Sequence, residues 1–280
     1  WNLNQGDEAI RWLGLVLKKN PKSVDAMLVL GRYLIERFRF SEAINHLKKA
    51  KSLVKKDYRV IRAFAHYEFK RMNLSAAKDY SEKAIALYDR DIHSHIILSE
   101  SLLLLGAVDQ AYKTIARAVS LEPLNVEAQA TYAKVLAAFQ GAITGEKYIL
   151  NLINTYPSVM EYRLALAKIY MSDNQLDRAK GVLIPITQER SDYKPAFMAL
   201  AETYYQEEKA TEALEAVLIY AFEKLMLHRI HADFYELNSS SAKLFAKLGF
   251  LIEGTYKDHF WLNHRYVDSI RGGKISHLTI

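Results

Sequence analysis

The stretch Val24–Asp57, VDAMLVLGRYLIERFRFSEAINHLKKAKSLVKKD, is one unit of a repeat. Met27, Leu30, Gly31 and Leu34 stand at the i, i+3, i+4, i+7 spacing of an amphipathic helix, and Ala43, Ile44, Leu47 and Ala50 define a second one. Between them a break is expected near Arg39-Phe40, with Ser41 as N-cap, its hydroxyl accepting from a free amide of the first turn. Stepping outward by 34 positions, Ala43 becomes Ala9, Ala77, Ala111, Gly145, Ala179 and Ala213. Gly31 becomes Ala65, Ser99, Ala133, Ala167 and Ala201, and a third ladder holds Pro21, Pro123 and Pro157, with Lys55 and Asp89 at the intervening steps. Composition alone does not put three ladders on one period. Small residues belong where two helices approach closely, and proline where a repeat must end.

The same layout predicts helix pairs at 58–91, 92–125, 126–159 and 160–193. Residues 7–21 read as the second helix of a preceding repeat whose first helix is missing or reduced to Trp1–Asn4. The unit 126–159 departs most, with Gly145 in the alanine ladder and QGAITG between its helices, so a looser turn is expected there without a break in the array. A 34-residue helix–turn–helix period means that each unit buries its apolar face only against its neighbours. These residues resemble the tetratricopeptide repeat (TPR) family over about 1–217. The resemblance rests on Met27…Leu30-Gly31…Leu34…Ala43…Leu47…Ala50 and on Leu98-Ser99…Leu102…Ala111…Ala118…Pro123. It implies an all-α, right-handed solenoid of about six and a half repeats, with a concave groove that binds peptides or partner proteins.

Bulk properties agree with a soluble folded chain: half of the 280 residues are hydrophobic and a quarter charged. No apolar run reaches the ~18–20 residues that span a bilayer. With no cysteine there are no disulfides or thiolate metal sites. The chain starts at Trp1 and shows no secretory signal. The cytoplasm is favoured, with a periplasmic or membrane-anchored location left open if a leader or anchor preceded it. The net charge of +6 is uneven: up to Arg71 there are 16 Lys/Arg against 7 Asp/Glu (+9), and beyond it 22 against 25 (−3).

Polar positions interleaved with the buried ones are expected to face the groove. They are Asp25, Leu28, Arg32 and Glu36 in the first full unit, Arg59, Arg62, His66 and Lys70 in the second, Glu127 and Lys134 in the fourth, and Glu161 and Lys168 in the fifth. Arg59, Arg62, His66 and Lys70 form one helical stripe, which costs stability unless something negative sits opposite. The candidate partner-binding residues are therefore Arg32, Arg59, Arg62, His66, Lys70, Lys134 and Lys168, facing a protein or peptide with acidic character. A solvated face is the alternative. Leu28 and Arg32 stand where the chaperone-tail binders of the family carry lysine and asparagine, which argues against that partner class. A second basic cluster, Lys48-Lys49, Lys51 and Lys55-Lys56, lacks interleaved aromatics, so nucleic acid is not expected; it reads as a solvated helix end, compatible with an anionic membrane surface. His66, His93 and His95 do not form a metal-ligand set, and no catalytic or metal residue is assigned in the repeats.

After about Val217 the 34-step pattern stops, so the domains are drawn at 1–217 and 218–280. His228–Tyr235 alternates as a strand, a capping-rich segment leads to a short helix Ala242–Leu248 closed by Gly249, and Phe250–Trp261 and Tyr266–Ile270 read as strands around a turn at Asn263-His264. This small α/β segment resembles the C-terminal half of GCN5-related N-acetyltransferases (GNAT). Asn238, Ser241, Leu248-Gly249-Phe250, Glu253-Gly254 and Asp268 stand at the family's spacing.

The resemblance implies acetyl-CoA contacts at Asn238 and Ser241, and a tyrosine acid where this chain has Phe245; Tyr256, His259 or water would have to replace it. The upstream strands and glycine-rich phosphate loop of the family have no counterpart here. Gln206-Glu207-Glu208-Lys209 stands in the loop's place, ahead of a helix (about Thr211–Leu225) that also ends the last repeat. The leading expectation is a non-catalytic scaffold without cofactor. The alternative is an acetyltransferase subunit that uses acetyl-CoA once its missing half is supplied. The strand edge at Arg229–Tyr235 is expected to be covered by another chain or by a second copy.

Overall fold

The computed structural model describes residues 3–236, 238–262 and 265–276, and the chain divides into two compact units, Trp1–Asp173 and Asn174–Ile280. The first unit is helical throughout: α1 (Leu3–Lys19), α2 (Val24–Glu36), α3 (Phe40–Leu53), α4 (Tyr58–Lys70), α5 (Leu74–Leu87), α6 (Ile92–Leu104), α7 (Val108–Leu121), α8 (Val126–Gln140), α9 (Ala142–Thr155) and α10 (Met160–Ser172). Each helix packs on the next, and the first helices of successive repeats, α2, α4, α6, α8 and α10, also stack on one another.

The starts of the first helices follow the period. Ser23, Asp57, Asp91 and Asn125 occupy the N-cap positions of α2, α4, α6 and α8. Ser23 accepts from the Ala26 amide, Asp57 from Arg59 and Asn125 from Ala128. Such caps satisfy amides that the helix itself leaves free, at about 1 kcal/mol each. Pro21, Pro123 and Pro157 lie in the turns between repeats.

The small-residue ladders are buried. Ala43, Ala77 and Ala111 have no exposed surface, and neither do Ala65, Ser99, Ala133 and Ala167. Around them Met27, Leu34, Ile35, Leu47, Ile96, Ile115 and Ile149 are fully enclosed, each burial stabilising by roughly 2 kcal/mol.

Three expectations are corrected. First, α3 begins at Phe40 with Arg39 in the cap position and no side-chain cap bond, so Ser41 is inside the helix; Arg39 instead clasps Glu42 at 2.6 and 2.7 Å. Second, the turn within 126–159 is tighter, not looser: α8 runs to Gln140 and α9 starts at Ala142, with Gly141 alone between them at φ 96°. Gly145 is needed because α8 comes so close that a Cβ there would lie 2.7 Å from the Ala133 carbonyl oxygen and 2.8 Å from Ala137 Cα. Third, the N-terminal helix already starts at Leu3, so residues 3–4 belong to α1; Trp1 lies outside the described residues.

The other helix pairs turn through a left-handed residue: Phe38 (φ 58°), Met72 (φ 61°) and Gly106 (φ 80°), each 34 positions from the next. The following amide donates five residues back, Arg39 to Leu34, Asn73 to Glu68 and Ala107 to Leu102, which closes the helix in a Schellman cap.

The second unit contains α11 (Leu176–Glu189, with Pro185 inside it), α12 (Lys194–Gln206) and α13 (Ala210–Ile219), which ends in one π-helical turn at Tyr220–Lys224. Then come β1 (Arg229–Tyr235), α14 (Ser239–Lys247), β2 (Leu251–Leu262) and β3 (Arg265–Ile275). The sheet is antiparallel throughout, in the order β1-β3-β2. Leu218, Phe222, Leu248 and Phe250 form its core, with Leu214, Ile230, Ala232, Leu244 and Phe245 against them. The third strand runs further than its sequence suggests, to Ile275, and the turn at Asn263-His264 lies outside the described residues. Among the described residues no helix is long and apolar enough to cross a membrane.

Candidate functional site

In the first unit, α2, α4, α6 and α8 together line a pocket of about 280 Å³. Arg32 and Glu36 come from α2, Arg59, Arg62 and His66 from α4, His93 from α6 and Glu127 from α8, with Leu28, Ile35, Ala63 and Ile97 as its apolar part. Four of the seven candidate groove residues thus meet in one place. They meet because every first helix presents the same face at the same height of the stack.

The cations of the stripe are held by carboxylates of their own chain, most of them one repeat away. Arg59 reaches Asp25 (2.7 Å, 34 positions earlier) and Asp57 (2.7 Å). Arg62 meets the buried Asp91 at 2.6 Å, which also accepts from the Ser94 hydroxyl. Glu36 lies between His66 (3.0 Å) and Lys70 (3.2 Å), and His93 is 3.4 Å from Glu127.

These contacts move the titrations. Burial pushes the Glu36 carboxyl up, but the His66 hydrogen bond and the Lys70 charge together bring it down to about 2. The hydrogen bond from Arg59 holds Asp57 below the usual carboxylate range, and that of Glu127 raises His93. Arg32 differs. It is exposed, lies over the Tyr33 ring at 5.9 Å, and makes no ion pair among the described residues.

Lys134 and Lys168 lie away from this pocket. Lys134 bonds Glu100 at 2.6 Å, and Lys168 and Lys70 add their charges to the same carboxylate. Of the second basic cluster, Lys51 lies over the rings of Phe64 (5.1 Å) and Tyr80 (5.7 Å).

The sequence reading placed Asp25, Glu36 and Glu127 on the groove face but missed their pairing with the cations, and it missed Asp57, Asp91 and Glu100 as partners. The signal was available: residues that face each other on stacked first helices are 34 positions apart, and Asp25/Arg59, Glu36/Lys70 and Glu100/Lys134 all obey that step.

In the second unit, Asn238 caps α14, its Oδ1 accepting from the Ser241 amide at 3.0 Å, so the two cofactor candidates bond each other. Phe245 is packed between Phe234 (5.6 Å) and Phe250 (5.1 Å). Tyr256 lies beside His259, and Arg271 lies 4.9 Å over the Tyr256 ring. In the turn before α13, Glu208 is left-handed (φ 58°), and Glu207 is gripped by Lys180 (2.5 Å) and Lys209 (3.0 Å).

Residues 183–251 match the family described as the acetyltransferase (GNAT) domain; the match starts within α11 and ends at the first residue of β2. No curated protein matches the chain. Among solved structures, the chain is similar to a tetratricopeptide repeat protein from Parabacteroides merdae (TM-score 0.60, 12% identity, 87% of this chain and 92% of that one). It is also similar to a chain of the APC/C Cut9–Hcn1 hetero-tetramer (TM-score 0.59, 15% identity, 79% of this chain and 44% of that one). A third likeness is to a thermophilic TPR protein of Thermus thermophilus (TM-score 0.50, 20% identity, 73% of this chain and 100% of that one). The helical array is a tetratricopeptide-repeat fold, followed by a small three-stranded α/β segment; the GNAT likeness covers the end of α11 through α14 and stops where β2 begins.

Proposed function

We propose that the chain is a non-catalytic scaffold that takes a segment of a partner protein along α2, α4, α6 and α8. The observation that carries this reading is the convergence of four successive first helices on one pocket, in which Arg32 is the cation without a carboxylate partner among the described residues. Arg59 and Arg62 are held by Asp25, Asp57 and Asp91 and serve to shape the pocket. The matching ligand is therefore a segment with apolar side chains for Leu28, Ile35 and Ile97 and a carboxylate for Arg32, not a run of acidic residues. The TPR fold of the neighbours supports a protein or peptide partner in this general sense.

Peptides selected from a random display library on the 280-residue chain test this. Enriched peptides should share an acidic residue, and Arg32→Glu, which breaks no ion pair among the described residues and loses only the contact with the Tyr33 ring, should weaken them by roughly tenfold or more with a smaller salt dependence. Equal affinity for the parent chain and the Arg32→Glu variant would remove Arg32 from the site.

A second reading is favoured by the match at 183–251: an N-acetyltransferase subunit that uses acetyl-CoA. The residues present do not fit the cofactor's pyrophosphate. The turn before α13 offers Glu207 and Glu208 where a row of free amides is needed, and Asn238 is spent on capping α14. A thermal-shift titration decides between the readings, because a ligand that binds only the folded chain must raise the midpoint. A rise at saturating acetyl-CoA would favour the enzyme.

A further inference from the structure

The two outer strands of the sheet are built differently. β2 loses register with β3 between Ile252 and Gly254 and again between Tyr256 and Phe260. Irregularities of this kind spoil an edge as a template for another strand. β1 keeps one unbroken register, from Arg229↔Ile275 to Tyr235↔Ser269, and its sequence RIHADFY has no proline or lysine. Among the described residues, the elements most closely packed against β1 are β3 and α14.

The hydrogen-bond phase shows which backbone groups face outward. The Ser276 amide donates to the His228 carbonyl and the Glu236 amide to that of Asp268, at 2.9 and 3.1 Å. Alternate residues of an antiparallel strand bond the same neighbour. The even-numbered residues of β1 therefore bond β3, and the amides and carbonyls of Arg229, His231 and Asp233 point out of the sheet edge.

We propose that a second copy of this chain occupies this edge, with its β1 antiparallel to the first about a two-fold axis at Ala232. In that register His231 exchanges backbone hydrogen bonds with Asp233 of the second copy, and Asp233 with its His231, which is the outward-facing set. Complementary hydrogen-bonding groups meet directly: Asp233 already bonds Arg271 through both carboxylate oxygens at 2.7 Å and gains the imidazole of His231, whose Nδ1 lies 3.0 Å from Glu253 of its own chain. On the other face Ile230 meets Phe234 of the second copy. Centring the axis on Asp233 sets two carboxylates against each other, and centring it on His231 sets two imidazoles.

The native 280-residue chain should sediment as a dimer. The chain has no cysteine, so Ala232→Cys introduces a single thiol. On the axis it faces itself across about 4.5 Å between Cα atoms, within the range a disulfide spans. Oxidation should link Ala232→Cys into a covalent dimer and leave Ile230→Cys, which faces Phe234, unlinked. His231→Pro removes an outward amide and leaves the ladder to β3 standing, but it also removes the imidazole that lies 3.0 Å from Glu253; it should weaken the dimer by roughly tenfold or more beyond the effect of His231→Ala, which loses the imidazole alone, with an unchanged circular dichroism spectrum. A native chain that is monomeric at every concentration overturns the proposal. So do linkage at position 230 or 231 in preference to 232, and a dimer indifferent to His231→Pro.

Discussion

Lys134 Nζ lies 2.6 Å from Glu100 Oε1, one full repeat of 34 residues away, with both side chains about three-quarters buried. Burial raises the cost of charging Glu100, yet Lys134 first, then Lys168 and Lys70, hold its carboxyl below the ordinary range. Removing Lys134 leaves a largely buried carboxylate without its hydrogen-bond donor. Lys134→Met should lower stability by about 2 kcal/mol, read from urea midpoints at neutral pH. An unchanged midpoint would show that the distant lysines suffice.

Glu36 contributes to the acid limb of stability, alongside Asp57 and Glu100, which are also held low. Its carboxyl falls from 4.5 to about 2 in the folded chain, so the folded state holds the proton less tightly than the unfolded one. The contribution is therefore complete above pH 4.5 and is lost as the pH falls toward 2. Glu36 is half exposed, so added salt should shrink the effect. Urea midpoints across the acid range should rise with pH, and Glu36→Gln should flatten that rise; a parallel curve for the variant refutes the assignment.

Gly145 and Gly181 make an internal comparison. A Cβ at 145 meets Ala137 and the Ala133 carbonyl, whereas at 181, within α11, nothing lies within 4 Å. Gly145→Ala should cost about 2 kcal/mol or more by overpacking. Gly181→Ala should stabilise by up to about 1 kcal/mol through helix propensity. Thermal midpoints of the two variants should move in opposite directions.

Met72 sits at φ 61° and is two-thirds exposed, so its side chain gives little in return for the strained backbone. Met72→Gly should raise stability by about 1 kcal/mol, measured by denaturant titration. A loss would mean that the thioether packs in solution in a way its exposure does not show.

The repeat itself was legible because burial acts on side-chain size: Ala43, Ala77 and Ala111 sit where helices touch, and their spacing alone located the helices of the first unit. The strand–helix–strand–strand order of the tail followed from alternation and from the glycine after α14. The turn geometry was hidden, because Phe38, Met72 and Glu208 adopt a conformation their residue types disfavour, imposed by the helix closure around them. The pocket was half legible. Reading each helix alone found its cations and, in Asp25 and Glu36, two of the carboxylates, while the pairing between them appears only when residues one repeat apart are set side by side.

That side-by-side arrangement also gives each repeat an address. If residues 58–91 were excised, the alanine rungs would still close, but Asp25 would face His93 in place of Arg59, and Glu36 would face Leu104 in place of Lys70. The first three helix pairs share a turn geometry but not their electrostatics, so charge tells one order of these modules from another.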